Sequence, residues 1–212
     1  LIGYQQECAL DIAVKCILRG DPDEKVGVLL ERSPGCLEVI EYSELPREVR
    51  YATAPDGRLL YPYANISSFC FSLAFVAEVA KVHSKKMPLH LAYKAAACMR
   101  CEAEGLTAVS QAWKFEKFIF EILPLSHRVG ALWYPREQCF APLKNAGGDD
   151  SPETVREALQ EADRRAFTLV SGVEPPCIPF ELSLEFHYPT TKLLAAWHGK
   201  SLPAGGGYIP AF

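Results

Sequence analysis

Apolar positions recur along this chain with two different periods, and the switches between them predict helices alternating with strands. Ala9, Leu10, Ala13 and Ile17 repeat at helical spacing and predict a helix from Tyr4 to Leu18, stopped at Gly20-Asp21-Pro22. Val26–Leu30 and Leu37–Tyr42 are β-rich runs joined by Glu31-Arg32-Ser33-Pro34-Gly35-Cys36, a hairpin signal. In the second run Leu37, Val39 and Glu41 share a face, and a carboxylate on an apolar face is costly unless hydrogen-bonded or at the strand's end. Leu59–Tyr63 predicts a short strand running into Asn65. Phe69–Val82 then predicts a helix with Phe71, Phe75, Val79 and Val82 on one face and Lys81, Lys85 and Lys86 towards its C-terminal end. Asn65 falls at that strand-to-helix junction, where asparagine is commonly a cap.

The densest aromatic run follows in Trp113–Asp150. Phe115, Phe118, Ile119 and Ile122 predict one apolar helix face and Phe120 points nearly opposite, so this helix needs cover on both sides before Pro124 ends or kinks it. Such a helix is either plain core or a ligand-pocket wall on one face. Val129–Tyr134 predicts a strand leading into a loop that carries Lys144, which is either a solvated charge or a cation held against a phosphate. Ser151 and Pro152 mark a helix start, continued by Val155, Leu159, Ala162 and Ala166. From Phe167 the β-like runs Thr168–Gly172, Pro179–His187 and Leu193–Trp197 predict a small β-rich tail, with Gly205-Gly206-Gly207 as a loop.

Composition narrows the classes. At 212 residues and 49% hydrophobic content the chain can bury one large domain, or one with a small companion. A formal net charge of −4 gives no electrostatic reason to expect nucleic acid or an anionic membrane as partner. No apolar run approaches the roughly 20 residues of a membrane span, and the first residues lack a signal-peptide pattern. The start at Leu1 inside a structured segment suggests a fragment or a processed product. Eight cysteines form no dense disulfide pattern and are expected as free thiols in a cytoplasmic setting. Cys98-Met99-Arg100-Cys101, with His83 and His90 upstream, lacks the second ligand pair of a zinc site, and the alanine-rich Tyr93–Ala97 does not read as the strand that precedes a redox CxxC. Asn65-Ile66-Ser67 is formally a glycosylation sequon, of little meaning without a secretory signal.

Four blocks in order resemble one family. They are Val26-Gly27-Val28 leading to Val39-Ile40-Glu41-Tyr42-Ser43-Glu44; Asp56-Gly57-Arg58-Leu59-Leu60 leading to Asn65-Ile66; Phe115-Glu116-Lys117-Phe118-Ile119-Phe120-Glu121; and Ala141-Pro142-Leu143-Lys144-Asn145-Ala146. Together they are similar to the eukaryotic UDP-N-acetylhexosamine pyrophosphorylases, which join UTP to N-acetylglucosamine 1-phosphate and release UDP-N-acetylglucosamine's by-product, pyrophosphate. The similarity thins after Ala146, although Glu181-Leu182-Ser183-Leu184 and Pro203–Pro210 look like the family's C-terminal strands. The family's usual Asn-Ala-Gly-Asn is here Pro62-Tyr63-Ala64-Asn65.

The resemblance implies an α/β fold: the C-terminal part of a nucleotide-diphospho-sugar transferase-like (GT-A/Rossmann-like) domain with a mixed sheet in residues 1–148, then a helix and small β-rich region in residues 149–212. It also implies roles. Gly27 lets backbone approach a ligand. Glu41 and Asn65 hydrogen-bond the sugar, Tyr42 flanks them, Phe118 and Phe120 wall the N-acetyl methyl, and Lys144 pairs with phosphate. Mg²⁺ would be held mainly by substrate phosphates and by residues outside this chain. Neither GxGxxG nor GxxxxGK[ST] occurs, and the family's triphosphate and uridine motifs, carried by its N-terminal half, are missing. The sequence is therefore expected to hold the sugar-phosphate half of a divided active site. A pyrophosphorylase for another sugar 1-phosphate, or a non-catalytic homologue that binds a sugar nucleotide weakly or serves only a structural role, stays open at this stage.

Overall fold

A computed structural model describes residues 1–83, 87–99 and 107–212, which form two compact units, Leu1–Tyr134 and Pro135–Phe212. In the first unit, α1 (Ile2–Glu7) leads to β1 (Ile12–Leu18), then β2 (Val28–Ser33), β3 (Cys36–Ile40), the single turn α2 (Arg47–Arg50), β4 (Tyr63–Phe71), α3 (Leu73–Val82), the hairpin β5 (His90–Met99) and β6 (Thr107–Glu116), a 3₁₀ segment Ile119–Leu125, and β7 (Val129–Trp133). The sheet order is β3-β2-β4-β1-β7, antiparallel except where β1 runs parallel to β7, so it is mixed as expected.

The largest departure from the sequence reading is at its start. The expected helix Tyr4–Leu18 is one short helix and the central strand β1. Ala13 and Ile17 do sit four apart, but Ile12, Ala13, Val14, Cys16 and Ile17 are all at most 1% exposed. A strand with neighbours on both edges and cover on both faces is a continuous apolar run, which a period count cannot separate from a helix. Asp11 at the head of β1 accepts from Ser126 Oγ at 2.7 Å and pairs with Arg128, tying β1 to the chain entering β7. Burial pushes the Asp11 carboxyl up, but the bonds from Arg128 and Ser126 outweigh it and hold it below the usual carboxylate range. Gly130 on β7 is glycine because a Cβ there would lie 2.6 Å from Tyr4 Oη and 2.7 Å from Leu10 Cδ1; α1 sits on the strand at that point.

The expected β2–β3 hairpin is present, and β3 ends at Ile40, so Glu41 stands just beyond it. Leu59–Tyr63 is not a strand; Leu59 makes one bridge to Thr53 and pairing proper starts at Tyr63. The expected helix Phe69–Val82 begins only at Leu73, capped by Ser72, because Phe69–Phe71 are claimed by pairing with Ile12–Val14. Phe75 and Val79 are its buried face, whereas Val82 is exposed. Lys81 occupies the last turn, and Lys85 and Lys86 lie outside the described residues. The expected helix through Phe115 divides: Phe115 belongs to β6, and the 3₁₀ segment starts at Ile119 and contains Pro124 in its last turn, whose missing donor costs little in so short a segment. Tyr93–Ala97 is strand, contrary to expectation, and Arg100 and Cys101 of the CxxC lie outside the described residues. Cys8, Cys36, Cys70, Cys139 and Cys177 are free thiols, and the Cys16 thiol donates to Leu132 O at 3.4 Å. One core gathers Ile12, Val14, Leu29, Val39, Phe75, Val79, Phe120, Ile122 and Leu123.

The second unit carries α4 (Pro152–Ser171), β8 (Phe180–Leu182), a 3₁₀ turn Leu184–His187, α5 (Thr191–Trp197) and β9 (Gly207–Ile209). The capping box is formed: Ser151 and Thr154 exchange side-chain-to-backbone bonds. The helix does not stop at Ala166. Thr168–Gly172, expected as β, continues it to Ser171, because Phe167 and Val170 fall on the face already carrying Ala166 and bury against Phe180, Phe186 and Leu193. Gly172 ends it with φ 73°, a left-handed C-cap. Leu193–Trp197, also expected as β, is α5, capped by Thr190. The only strands described in this unit are β8 and β9, three residues each and paired in parallel, so the region is more helical than β-rich. No helix among the described residues is long and apolar enough to cross a membrane.

Candidate sugar-phosphate site

Gly27, Glu41, Tyr42, Asn65, Phe118 and Phe120 all belong to the first unit, and its fold brings them together from four separate segments. Gly27 immediately precedes β2 and its carbonyl accepts from Asn65 N at 2.8 Å, joining two of them directly. A Cβ on Gly27 would stand 3.0 Å from Val39 Cγ1 and 3.2 Å from Glu41 Oε1, so glycine is what lets the Glu41 carboxylate lie over this backbone.

Asn65 is not the helix cap its position suggested. It lies inside β4 at an irregularity where Lys15 pairs with Ser68 but Cys16 pairs with Asn65. Its Oδ1 accepts from Ser67 N at 3.0 Å and so holds Ser67 at φ 57°, a left-handed conformation unusual for serine. The residue is 7% exposed, and with its carbonyl used internally it has its Nδ2 donors to offer outwards.

Glu41 and Tyr42 start the turn after β3, closed by Glu44 N donating to Glu41 O at 2.9 Å. They line a cavity of about 170 Å³ together with Glu44, His90, Lys114 and Phe118. Phe118 caps the start of the 3₁₀ segment and stacks on Phe120, with centroids 4.8 Å apart and planes at 14°. The two rings differ in kind: Phe118 faces the cavity, whereas Phe120 is 4% exposed and belongs to the core. An aromatic wall opposite a carboxylate and a tyrosine is a surface that takes a ring with one apolar and one hydroxylated edge.

His90, considered from the sequence only as a metal ligand, carries no local signal that would choose it. It opens β5 and packs on Phe118, with centroids 4.8 Å apart. Both its nitrogens are engaged by carboxylates: Nδ1 lies 2.9 and 3.0 Å from the Glu44 oxygens, and Nε2 lies 2.8 Å from Glu121 Oε1. Only an imidazolium donates from both nitrogens. Burial opposes its charge, but the bonds and charges of Glu44 and Glu121 prevail and raise the His90 pKa above that of an ordinary histidine. Its partners are 46 and 31 residues away, a separation that no local pattern reveals. Arg19 was equally hidden. Although only 3% exposed, it donates to the carbonyls of Tyr61, Pro22 and Arg50, and Arg50 in turn donates to Tyr42 O. A buried guanidinium thus braces the loop that carries Tyr42.

Lys144 belongs to the second unit, in the loop before α4. Its backbone N and that of Asn145 both donate to Asp150 O, at 2.7 and 3.0 Å, and its ammonium stands 3.8 Å from Asp150 Oδ2 with the side chain 52% exposed. Such an ammonium is available to an anion, since an exposed pair of this length holds it weakly. Among the described residues no group of three or more His, Cys, Asp or Glu could hold a metal ion.

No family model matches the chain. It is 35% identical to UDP-N-acetylglucosamine diphosphorylase 2 of Arabidopsis thaliana over 96% of its own length and 41% of that protein's. It is also 35% identical to a protein of Dictyostelium discoideum described as a probable UDP-N-acetylglucosamine pyrophosphorylase, over 72% of this chain and 32% of that one. The chain thus spans about a third to two fifths of the relatives it matches. A crystal structure from Entamoeba histolytica assigned to the same enzyme superposes with a TM-score of 0.74 at 23% identity, covering 98% of this chain and 52% of that one, a likeness of fold. The inhibitor complex of the Trypanosoma brucei UDP-N-acetylglucosamine pyrophosphorylase superposes with a TM-score of 0.65 at 25% identity, covering 80% of this chain and 33% of that one.

Proposed function

We infer that this chain, which belongs with the UDP-N-acetylglucosamine pyrophosphorylases over the part of them that it spans, supplies the sugar-phosphate side of a uridylyltransferase. The reaction is that of UTP with N-acetylglucosamine 1-phosphate, giving UDP-N-acetylglucosamine and pyrophosphate, in the cytoplasm. The observation that carries this reading is the convergence of Glu41, Tyr42 and Phe118 on one small cavity, with Gly27 lying under the Glu41 carboxylate and Asn65 bonded to Gly27.

Each residue then has a task. The Glu41 carboxylate accepts from sugar hydroxyls, and the absence of a side chain at Gly27 leaves room for it. The Asn65 amide donates to the sugar's oxygens, and Tyr42 bounds the same edge. Phe118 takes the N-acetyl methyl against its face, backed by Phe120, which fixes the ring from behind. In the reaction, a phosphate oxygen of the sugar phosphate attacks the α-phosphorus of UTP while the bond to the departing pyrophosphate breaks. Positioning and charge neutralisation are the chain's contribution. Lys144 serves as a point charge on phosphate. The first unit supplies the sugar-binding groups, and the C-terminal companion, expected to begin at residue 149, begins as a compact unit at Pro135 and so carries Lys144. Mg²⁺ bound to the phosphates would add charge neutralisation, and no cluster among the described residues is arranged to hold it, so no step is assigned through it.

The test has two arms. Calorimetry of the 212-residue chain with UDP-N-acetylglucosamine should register binding. A fusion of this chain to the remaining part of the Arabidopsis diphosphorylase 2 should release pyrophosphate from UTP and N-acetylglucosamine 1-phosphate. A folded fusion without turnover, together with a chain that binds nothing, would reduce this protein to a non-catalytic homologue. Preference for a plain hexose 1-phosphate would move it to the neighbouring pyrophosphorylases.

A further inference from the structure

We propose that His90 is a positioning residue for the sugar-phosphate cavity: its doubly protonated ring, held between Glu44 and Glu121, locks together the two turns that present Glu41 and Phe118. The proposal rests on the reading of that cavity as the sugar-phosphate site.

Glu44 N donates to Glu41 O at 2.9 Å, so the Glu44 carboxylate and the Glu41 carbonyl belong to one tight turn. Glu121 N donates to Phe118 O at 3.2 Å, so the Glu121 carboxylate and Phe118 share another. The two turns lie 77 residues apart in the chain, counted from Glu44 to Glu121. His90 bonds both carboxylates at once while its ring packs tilted at 54° on Phe118, centroids 4.8 Å apart, and meets Phe120 in an edge arrangement at 6.2 Å. One side chain therefore sets the distance between the carboxylate edge of the cavity and its aromatic wall. Its own position is set by the hairpin, where His90 pairs with Glu116 across β5 and β6.

The charge state decides whether the lock exists. A neutral imidazole donates from one nitrogen only, so loss of a proton leaves one carboxylate facing a lone pair. Glu44 and Glu121 touch the ring. Glu41, Tyr42, Lys94, Lys114 and Glu116 line the same cavity, and Lys114 is itself paired with Glu116. The carboxylates of Glu44 and Glu121 favour the imidazolium. A group whose folded pKa is raised contributes its full stabilisation below its ordinary value, so the lock is closed below the ordinary histidine pKa and opens as pH rises through the folded one. This direction agrees with the raised pKa of His90.

The first measurement needs no ligand. Titrating the intact chain by NMR, the Phe118 ring and the Glu41 and Tyr42 amides should shift with the midpoint of the His90 imidazole, and Glu121→Gln should move all these midpoints together to lower pH. The second uses UDP-N-acetylglucosamine, whose diphosphate does not titrate in this range. Wild-type affinity should fall about tenfold as pH rises through the His90 midpoint. His90→Phe, which keeps a ring against Phe118 and removes both bonds, should bind about tenfold more weakly than the wild type below the His90 midpoint, with a flat profile. Glu121→Gln should bind normally at acid pH and lose affinity earlier. Signals of Phe118 and Glu41 that ignore the His90 titration overturn the proposal whether or not ligand binds, as does a His90→Phe chain that is folded and keeps the wild-type pH profile. Co-titration without any binding of the sugar nucleotide leaves the lock standing and overturns the sugar-phosphate reading instead.

Discussion

The cavity around Glu41 and the loop around Lys144 are built in opposite ways. The cavity takes residues from the turn after β3, the start of β5, the end of β6 and the entry to the 3₁₀ segment, and the packing behind it is close: no Cβ fits at Gly27 without moving Val39 or Glu41. The Lys144 loop is closed within seven residues by bonds to Asp149 and Asp150, and its ammonium is half exposed. The first arrangement fixes groups in advance and transmits any local disturbance to its neighbours. The second holds a charge where it can adapt, which suits a contact made to a phosphate rather than to a ring of fixed shape.

The comparison can be broken most directly at Lys144. In the active fusion, Lys144→Ala should lower turnover by about 10²- to 10³-fold, the range for removing one donor to developing charge. Its thermal midpoint should stay where it was, since the side chain is exposed and weakly paired. Unchanged kinetics would remove Lys144 from the site. Gly27→Val is the counterpart in the cavity. The added side chain displaces the Glu41 carboxylate, so affinity for UDP-N-acetylglucosamine should fall by about 10²-fold, the cost of misplacing a group by an ångström. Here stability should fall too, and binding that survives intact would show that Glu41 is not where the sugar sits.

Two smaller effects sharpen the contrast outside the contacts themselves. Asp11→Asn should cost about 1 kcal/mol at neutral pH, from charge-assisted bonds partly screened at the exposed Arg128. The folded pKa of Asp11 is depressed, so the advantage of the wild type exists above the ordinary carboxylate value and is lost as pH falls through the folded one. Denaturant titrations of both proteins should therefore converge in acid; a constant gap would assign the effect to packing. Ser151→Ala removes the cap that follows the Lys144 loop and should cost about 1 kcal/mol. Equal stability of the two proteins would mean that Thr154 alone satisfies the helix start.

The same division explains what could be read in advance. The α4 start was legible because Ser151 and Pro152 are adjacent and act locally, although the Thr154 half of the capping box was seen only in the structure. The β2–β3 hairpin was legible for the same reason. Recognition of the family came from blocks of adjacent residues, and with it the grouping of Glu41, Tyr42 and Phe118. The β1 segment was misread because burial on both faces erases the alternation that marks a strand, and Thr168–Ser171 because a shared core face overrode β-branched propensity. Phe115 was assigned to a helix although its cross-strand partner is Leu91, which no window of sequence contains.

The mixed α/β class, the α4 cap, the β2–β3 turn, the likeness to the pyrophosphorylases and, through it, Glu41, Tyr42 and Phe118 among the residues that face the cavity were legible in the sequence, since each depends on neighbours a few positions away or on adjacent blocks. Only the tertiary structure decided that Ile12–Leu18 is the central strand, that Asn65 holds a bulge, that Phe120 is core while Phe118 is wall, and that His90 stands between Glu44 and Glu121. Those outcomes depend on burial and on charges brought together across 31 to 46 residues, and such contacts form only once the chain has closed the intervening loops.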